Sequence, residues 1–104
     1  MSSKFAAIAK LTAVEGQRDA LVKVMDQLVE AAADEPGTEV YVLHVDNNDP
    51  NAIWFYELYP DAEANAVHSK SDTMAAVIGQ LGGLVAGAPE IHFMTPHSGT
   101  GIDL

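Results

Sequence analysis

The residues of this chain best suited to move a proton near neutral pH are His44, Glu57 and His68. A positioned imidazole titrates close to neutrality and contributes roughly 10²- to 10⁴-fold as a general base. His68 falls near the end of a short predicted helix that should lean over a sheet, which suits such a base. The same position suits a histidine that caps helix-end carbonyls and complements the helix dipole. His44 lies inside an apolar strand, where a neutral, hydrogen-bonded core or interface histidine is the commoner finding. Glu57 stands between Tyr56 and Leu58, and burial of a lone carboxylate demands a partner or a raised pKa. A nearby histidine or Lys10 is a candidate partner, and a structural ion pair across strands explains Glu57 about as well as an acid/base role. Tyr41, Tyr56 and Tyr59 can each aim a hydroxyl at a ligand, although interface packing accounts well for at least two of them. The predicted assignment makes His68 and Glu57 catalytic, with His68 taking the proton and Glu57 orienting or tuning it. His44, Tyr41 and Tyr59 are the predicted substrate-binding residues.

His92 and His97 add little to this set. Four histidines in four separate elements, without Glu-x-x-His or His-Glu-x-x-His spacing, make a weak metal case, so no metal site is predicted. There is also no Gly-x-Gly-x-x-Gly, no Walker-type loop and no Cys-x-x-Cys-His, and the expectation is that no cofactor is bound. The absence of cysteine removes disulfides, thiolate nucleophiles and iron–sulfur clusters together. Five Lys and Arg against fifteen Asp and Glu leave a net charge of −10, which repels a phosphate backbone and an anionic membrane surface alike. No apolar run approaches the roughly 20 residues a membrane span needs. The apolar stretch before Lys10 is only five residues, shorter than the centre of a secretory signal. A soluble, cytoplasmic protein is expected, with no nucleic-acid or membrane partner. With 104 residues, 48% of them apolar, the chain suits one domain spanning 1–104, since a second core would have too few residues to close.

The elements that must position these side chains can be read from periodicity. Residues 4 to 13 are short and apolar and read as a strand, after which Glu15-Gly16 turns the chain. From Gln17 to Asp34 the apolar Leu21, Val24, Leu28, Val29 and Ala32 share one helical face, and Pro36-Gly37 ends that helix. Val40 to Val45 and Ala52 to Tyr59 are rich in β-branched and aromatic residues. They flank the turn formers of Asp46 to Asn51, which makes a hairpin with a loop of about six residues. Asp61 is the expected N-cap of a short helix, and Ser69 or Ser71 caps another with Met74, Val77, Ile78, Leu81 and Leu84 at helical spacing. Gly79, Gly82 and Gly83 weaken the second half of that helix. Pro89 to Met94 reads as a last strand, and the tail after it is expected to reach a partner subunit.

The order β-α-β-β-α-β, with the second helix in two pieces, predicts an α+β fold of the ferredoxin-like, split βαβ kind, an antiparallel four-stranded sheet with helices on one face. Alternation places Tyr41, Leu43, Val45, Ile53, Phe55 and Tyr59 on one side of the hairpin, and Val40, Val42, Trp54, Tyr56 and Leu58 on the other. Neither side is polar, yet helices cover only one, so a homodimer packed through the open sheet face is predicted, with Trp54 as interface anchor. Positions 44 and 57 have opposite parity, which makes Glu57 with His68 the better pairing and His44 the weaker candidate.

The chain resembles the antibiotic biosynthesis monooxygenase family, small dimeric ferredoxin-like proteins that include quinol and anthrone oxygenases. The resemblance rests on Glu35-Pro-Gly, Tyr41 with His44, Asp49-Pro50, Phe55-Tyr-Glu57-Leu-Tyr59, Asp61 through His68 with Ser71, and Pro89-Glu-Ile. It implies a dimeric α+β barrel. It also implies insertion of oxygen from O2 into a small phenolic or quinol-type aromatic substrate, without flavin, haem or metal. Relatives that degrade haem use an Asn, a Trp and a His where this chain has Ala9, His68 and Ile78, so haem degradation is not expected. Oxygenases of polyketide anthrones use a Trp that His68 again replaces, which leaves the substrate class open. Two rival functions remain. One is an isomerase of the same fold acting on small phosphorylated or carbonyl compounds, disfavoured by the scarcity of Arg and Lys near the motifs. The other is a dimeric ligand-binding or stress-response module without turnover.

Overall fold

The structure is a computed structural model that describes residues 3–104; Met1 and Ser2, at the head of the leader stretch considered above, lie outside the described residues. The elements are β1 (Phe5–Thr12), α1 (Arg18–Ala32), β2 (Val40–Val45), β3 (Ala52–Tyr59), α2 (Ala62–Ser69), α3 (Asp72–Ile78) and β4 (Glu90–Met94). The strands form one sheet in the order β2-β3-β1-β4, every pair antiparallel. This is the ferredoxin-like α+β arrangement, with its second helix divided into α2 and α3. No described helix is long and apolar enough to cross a membrane.

Cross-strand pairs join like parities, Tyr41 to Glu57 and Leu43 to Phe55 in the hairpin, Ala9 to Phe55 and Leu11 to Ile53 in the centre. The odd-numbered face therefore points to the helices. There Ala9, Leu11, Ile53 and Phe55 pack against Leu21, Met25 and Leu28 of α1 and Val77 of α3, the apolar helix face that the spacing predicts. On the even-numbered face Ala6, Ala52 and Leu58 are buried, while Ile8, Val42, His44, Trp54, Tyr56 and His92 keep solvent exposure.

Local chemistry sets the joints. The Asp46 carboxylate accepts from the backbone N–H of Asn48 and Asp49 and from Trp54 Nε1 at 2.8–2.9 Å, an Asx-type turn that fixes the hairpin loop. These bonds hold the Asp46 carboxyl at about 2, below its ordinary value. Arg18 at the start of α1 donates to the carbonyls of Asp46 and Asp49, both at 2.9 Å, and ties the same loop to the helix layer. Asp61 caps α2 by accepting from Ala64 N at 2.9 Å. Ser71 rather than Ser69 caps α3, accepting from Met74 N at 3.1 Å. α3 stops at Ile78, short of the predicted apolar run to Leu84, because glycines at 79, 82 and 83 favour turns over helix, with Gly83 at φ +79°. Leu81 and Leu84 still pack on the core from the turns that follow.

Candidate active site

The site is assembled where the end of β3, the end of α2 and the loop after α1 meet. Tyr41 on β2 lies directly opposite Glu57 on β3, and Tyr59 follows two positions along, so all three side chains rise from one face of the sheet. Tyr59 donates its hydroxyl to Glu57 Oε1 at 2.6 Å. α2 then carries His68 over this row. Its ring centroid lies 4.9 Å from that of Tyr41 and 5.9 Å from that of Tyr59, and it is only 3% exposed.

The remaining partner comes from the loop between α1 and β2. His68 Nδ1 and Glu35 Oε1 are 2.7 Å apart, and Thr38 Oγ1 donates to the same Glu35 oxygen at 2.9 Å. Gly37 makes this approach possible, since a Cβ there would stand only 3.0 Å from Ala64 Cβ on α2. The other ring nitrogen, His68 Nε2, is buried and has no hydrogen-bond partner.

Burial pushes the Glu57 carboxyl above its ordinary value; its bond from Tyr59 and the nearby His68 oppose the rise, and the Glu35 charge adds to it. Tyr41 is pushed well above the ordinary phenol value by burial and then by Glu57 and Glu35. Tyr59 is pushed the same way by burial and then by Glu57, against a side-chain hydrogen bond with Asn65. Both tyrosines therefore keep their protons at neutral pH and act as donors, while Glu57 is a stronger base than an exposed glutamate.

Two of the cavities that touch this cluster differ in their linings. The inner one, about 180 Å³, lies between the sheet, α1 and α3, and its wall includes Ala9, Leu28, Phe55, Val77 and Ile78; Tyr41 and Glu57 are its polar residues. The outer one, about 340 Å³, is lined by His68 together with Glu35, Thr38, Asp61 and Glu63. The outer cavity is larger, but three carboxylates make it a poor host for an anion or an electron-rich ring. The inner one has the apolar walls and few convergent polar groups of a small-molecule site. Its volume is near that of an apolar cavity of about 150 Å³ that accepts benzene, which is a match for a single aromatic ring.

The model of the family described as antibiotic biosynthesis monooxygenase matches residues 4–80. The chain belongs to this family. A solved structure from Chloroflexus aurantiacus J-10-fl that carries the family's name is 35% identical, with a TM-score of 0.80 over 97% of this chain and all of that one. Another bearing the family's name, from Caulobacter crescentus CB15, is 26% identical, with a TM-score of 0.84 over 93% of this chain and 92% of that one. A protein from Pseudomonas aeruginosa shares the fold at 24% identity, with a TM-score of 0.86 over 94% of this chain and 98% of that one. No curated protein matches the chain in sequence.

Within this antibiotic biosynthesis monooxygenase domain the predicted site residues divide. Tyr41, Glu57, Tyr59 and His68 come together on the helix side. His44 does not: it pairs with Trp54 and is exposed on the opposite face of the sheet, because strand alternation turns even positions away from the cavity. Its expected contact with substrate in this cavity is corrected accordingly. Tyr59 is fully buried and gives its hydroxyl to Glu57, so it supports the carboxylate rather than lining the cavity. Lys10 is not the partner of Glu57, as it lies over the Trp54 ring at 5.4 Å on that same opposite face. The carboxylate within hydrogen-bond distance of the His68 ring is Glu35, while Glu57 is bonded to Tyr59. Glu35 was visible only as part of a Glu-Pro-Gly signature; nothing in local spacing connects it with a histidine 33 residues on. Among the described residues no three His, Asp or Glu converge closely enough to hold a metal ion.

Proposed function

We propose that this family member is a cofactor-independent monooxygenase that oxidises a small, single-ring phenolic or quinol-type substrate with molecular oxygen. The observation that carries this reading is the apolar inner cavity whose polar lining is Tyr41 and Glu57, with Glu57 raised in basicity by burial. A phenol ionises near pH 10 in water, roughly the tyrosine value, and a base whose own pKa is raised narrows that gap. In the proposed reaction the substrate O–H bond breaks and its proton passes to Glu57. Tyr41 donates to the phenolate oxygen and stabilises it. The electron-rich anion then passes an electron to O2, and the two radicals combine to form a C–O bond. For a hydroquinone the balance closes as quinol plus O2 giving hydroxyquinone plus water: the ring loses four electrons, one oxygen atom enters it, and the other leaves as water with the two hydrogens. The proton first removed is returned to the departing oxygen. The protein supplies a base, a donor and an apolar pocket that holds the reactants together.

A homodimer through the even-numbered sheet face, in a cytoplasmic setting, completes the proposal; the exposed Val42 and the half-buried Ile8, Trp54 and Tyr56 support it, as an apolar face of this kind is normally covered. The isomerase alternative is less well supported, since Glu35, Asp61 and Glu63 around the outer cavity would repel a phosphorylated substrate. The deciding experiment is oxygen uptake by metal-free protein with a panel of hydroquinones and, as larger probes, three-ring anthrones. Uptake is expected with the single-ring compounds. Rates no higher than the uncatalysed ones across the hydroquinones would end this reading. Glu57→Gln should lower kcat by at least about tenfold, within the range that loss of a general base produces.

A further inference from the structure

Resting on the monooxygenase reading above, we propose that the substrate ring carries an apolar chain, and that Ile91 and Phe93 on β4 receive this chain where it leaves the inner cavity. Strand register sets the direction. Tyr41, Glu57, Ala7 and Phe93 form one row across the sheet, from β2 through β3 and β1 to β4, and Leu43, Phe55, Ala9 and Ile91 form the next. All are odd-numbered and rise on the cavity side. Glu57 and Phe93 are separated by two strand spacings, about 9.6 Å, with the small Ala7 between them. A ring whose hydroxyl meets Glu57 therefore lies over β1, where Ala9 and Leu11 form the cavity wall, and its far edge faces Ile91 on β4.

That edge is also where the cavity opens. Among its lining residues Ile78, Pro89 and Ile91 are exposed, Ile78 at 60% and Ile91 at 50%, and they mark the mouth. None of them carries a charge or a side-chain hydrogen-bonding group. A substituent that leaves the ring here is matched by apolar surface, whereas a carboxylate or phosphate would meet no cation at the mouth and would be repelled by Glu57 within. Outside the mouth the apolar surface continues. Phe93 follows Ile91 on the same side of β4, about 6.8 Å further along the strand. It is 59% exposed, and its ring lies 5.3 Å from that of Phe5. All five residues of β4 are exposed, since α1 packs on β2 and β3 and α2 on β3. The proposed dimer does not cover this strip, because it uses the even-numbered face and strand alternation turns Ile91 and Phe93 the other way. An exposed apolar strip that begins at the mouth of a ligand cavity fits a ligand that extends out of it.

The test is calorimetric binding of para-alkylphenols from methyl to octyl, with oxygen excluded so that binding alone is read. A fully buried methylene is worth about fourfold in Kd, and one half-buried on an open strip about twofold. From butyl to octyl the Kd should therefore fall by at least about tenfold. Phe93→Ser should remove most of that gain while changing the Kd of para-methylphenol by less than about twofold. If Phe93→Ser does not fold, Phe93→Thr, β-branched and suited to an edge strand, carries the same test. Val67→Ser, at a 67%-exposed apolar residue of the outer cavity, should leave the gain intact. A Kd independent of chain length, a gain that survives loss of the Phe93 ring, or a gain lost in Val67→Ser would each overturn the proposal. So would an oligomer that octylphenol splits in analytical ultracentrifugation, which would make the strip a contact between copies of the chain. Oxygen uptake separates this proposal from the reading beneath it. If the chain-length gain holds and no hydroquinone is oxidised, the monooxygenase reading fails and the chain site stands. If hydroquinone is oxidised and alkylhydroquinones show no lower KM, the chain site fails alone.

Discussion

Gly37→Ala should disturb His68 without touching it. The added Cβ would lie 3.0 Å from Ala64 Cβ, whereas carbon atoms rest about 3.5–4.0 Å apart, so the loop and α2 must separate by roughly 0.5–1 Å. Glu35 is two residues from Gly37, and His68 is one helical turn beyond Ala64 on the same face of α2. The displacement therefore loads the 2.7 Å contact between them, which weakens once it stretches past about 3.2 Å. Gly37 is not in the left-handed region, so alanine is not strained by its backbone and should gain about 0.4–1 kcal/mol from a less flexible unfolded chain. Overpacking costs about 1–3 kcal/mol, which leaves a net loss of roughly 1–2 kcal/mol and a fall in Tm of about 5–15 °C. Ala64→Gly alone should cost about 1 kcal/mol of helix stability, yet in the double variant it reopens the space. Thermal unfolding of the four proteins should give a favourable coupling of at least about 0.5 kcal/mol, and the His68 nitrogen signals should return towards wild type in the double variant. An additive cycle with unmoved His68 signals in Gly37→Ala would refute the idea that close packing of loop on helix positions the imidazole.

Glu57→Gln should be stabilising in a pH-dependent way. Because the folded-state pKa of Glu57 is raised, its contribution is fully present below the unfolded value of about 4.3 and is lost as pH rises through the folded value; the Tm advantage of Glu57→Gln should therefore grow from acid to about pH 8, and a constant difference would count against the raised pKa. Asp46→Asn should do the reverse: with a folded value at about 2, its contribution is present above the unfolded value of about 3.9 and fades as pH falls towards 2. The variant should accordingly be less stable than wild type at neutral pH and equal to it in strong acid, as followed by Trp54 fluorescence during unfolding. Val42→Arg, midway along the edge strand β2 on the even-numbered face and 43% exposed, should convert the proposed dimer to a monomer in analytical ultracentrifugation; a monomeric wild type would refute the dimer, and an undisturbed dimer would move the interface elsewhere.

Much of the scaffold was legible in the sequence because it depends on local rules. Whether alternation in β2 and β3 separates His44 from Glu57 depends on a register that a loop of about six residues does not fix, and the observed pairing of Tyr41 with Glu57 is one that does. Helix caps at Asp61 and Ser71 are equally local, as is the weakness of the glycines after Ile78. What could not be read was set by distant contacts. Arg18 reaches carbonyls 28 and 31 residues away to hold the hairpin loop. Glu35, the carboxylate in contact with His68, is likewise far from it in sequence. His68 was recognisable by type and Glu35 was not, since a glutamate before Pro-Gly reads first as a helix end.

The surroundings of Glu57 bear on the proposal that it is a functional rather than a structural carboxylate. A buried charge kept for stability is expected to face a cation, because an unpaired one costs several kcal/mol and an apolar side chain of similar size would do better. Glu57 instead has a neutral phenol as its hydrogen-bond donor, at 2.6 Å, and a second carboxylate, Glu35, whose charge raises its pKa further. The nearest strand lysine on β1, Lys10, is committed to the opposite face over Trp54. Its one compensating charge is the imidazole of His68, which is cationic only while it holds a proton. The two groups are not hydrogen-bonded to each other: the Glu57 bond comes from Tyr59 and the His68 contact goes to Glu35. A carboxylate so placed is a poor choice for fold stability, which favours the proposed role of Glu57 as the base that takes a substrate proton over a purely structural one.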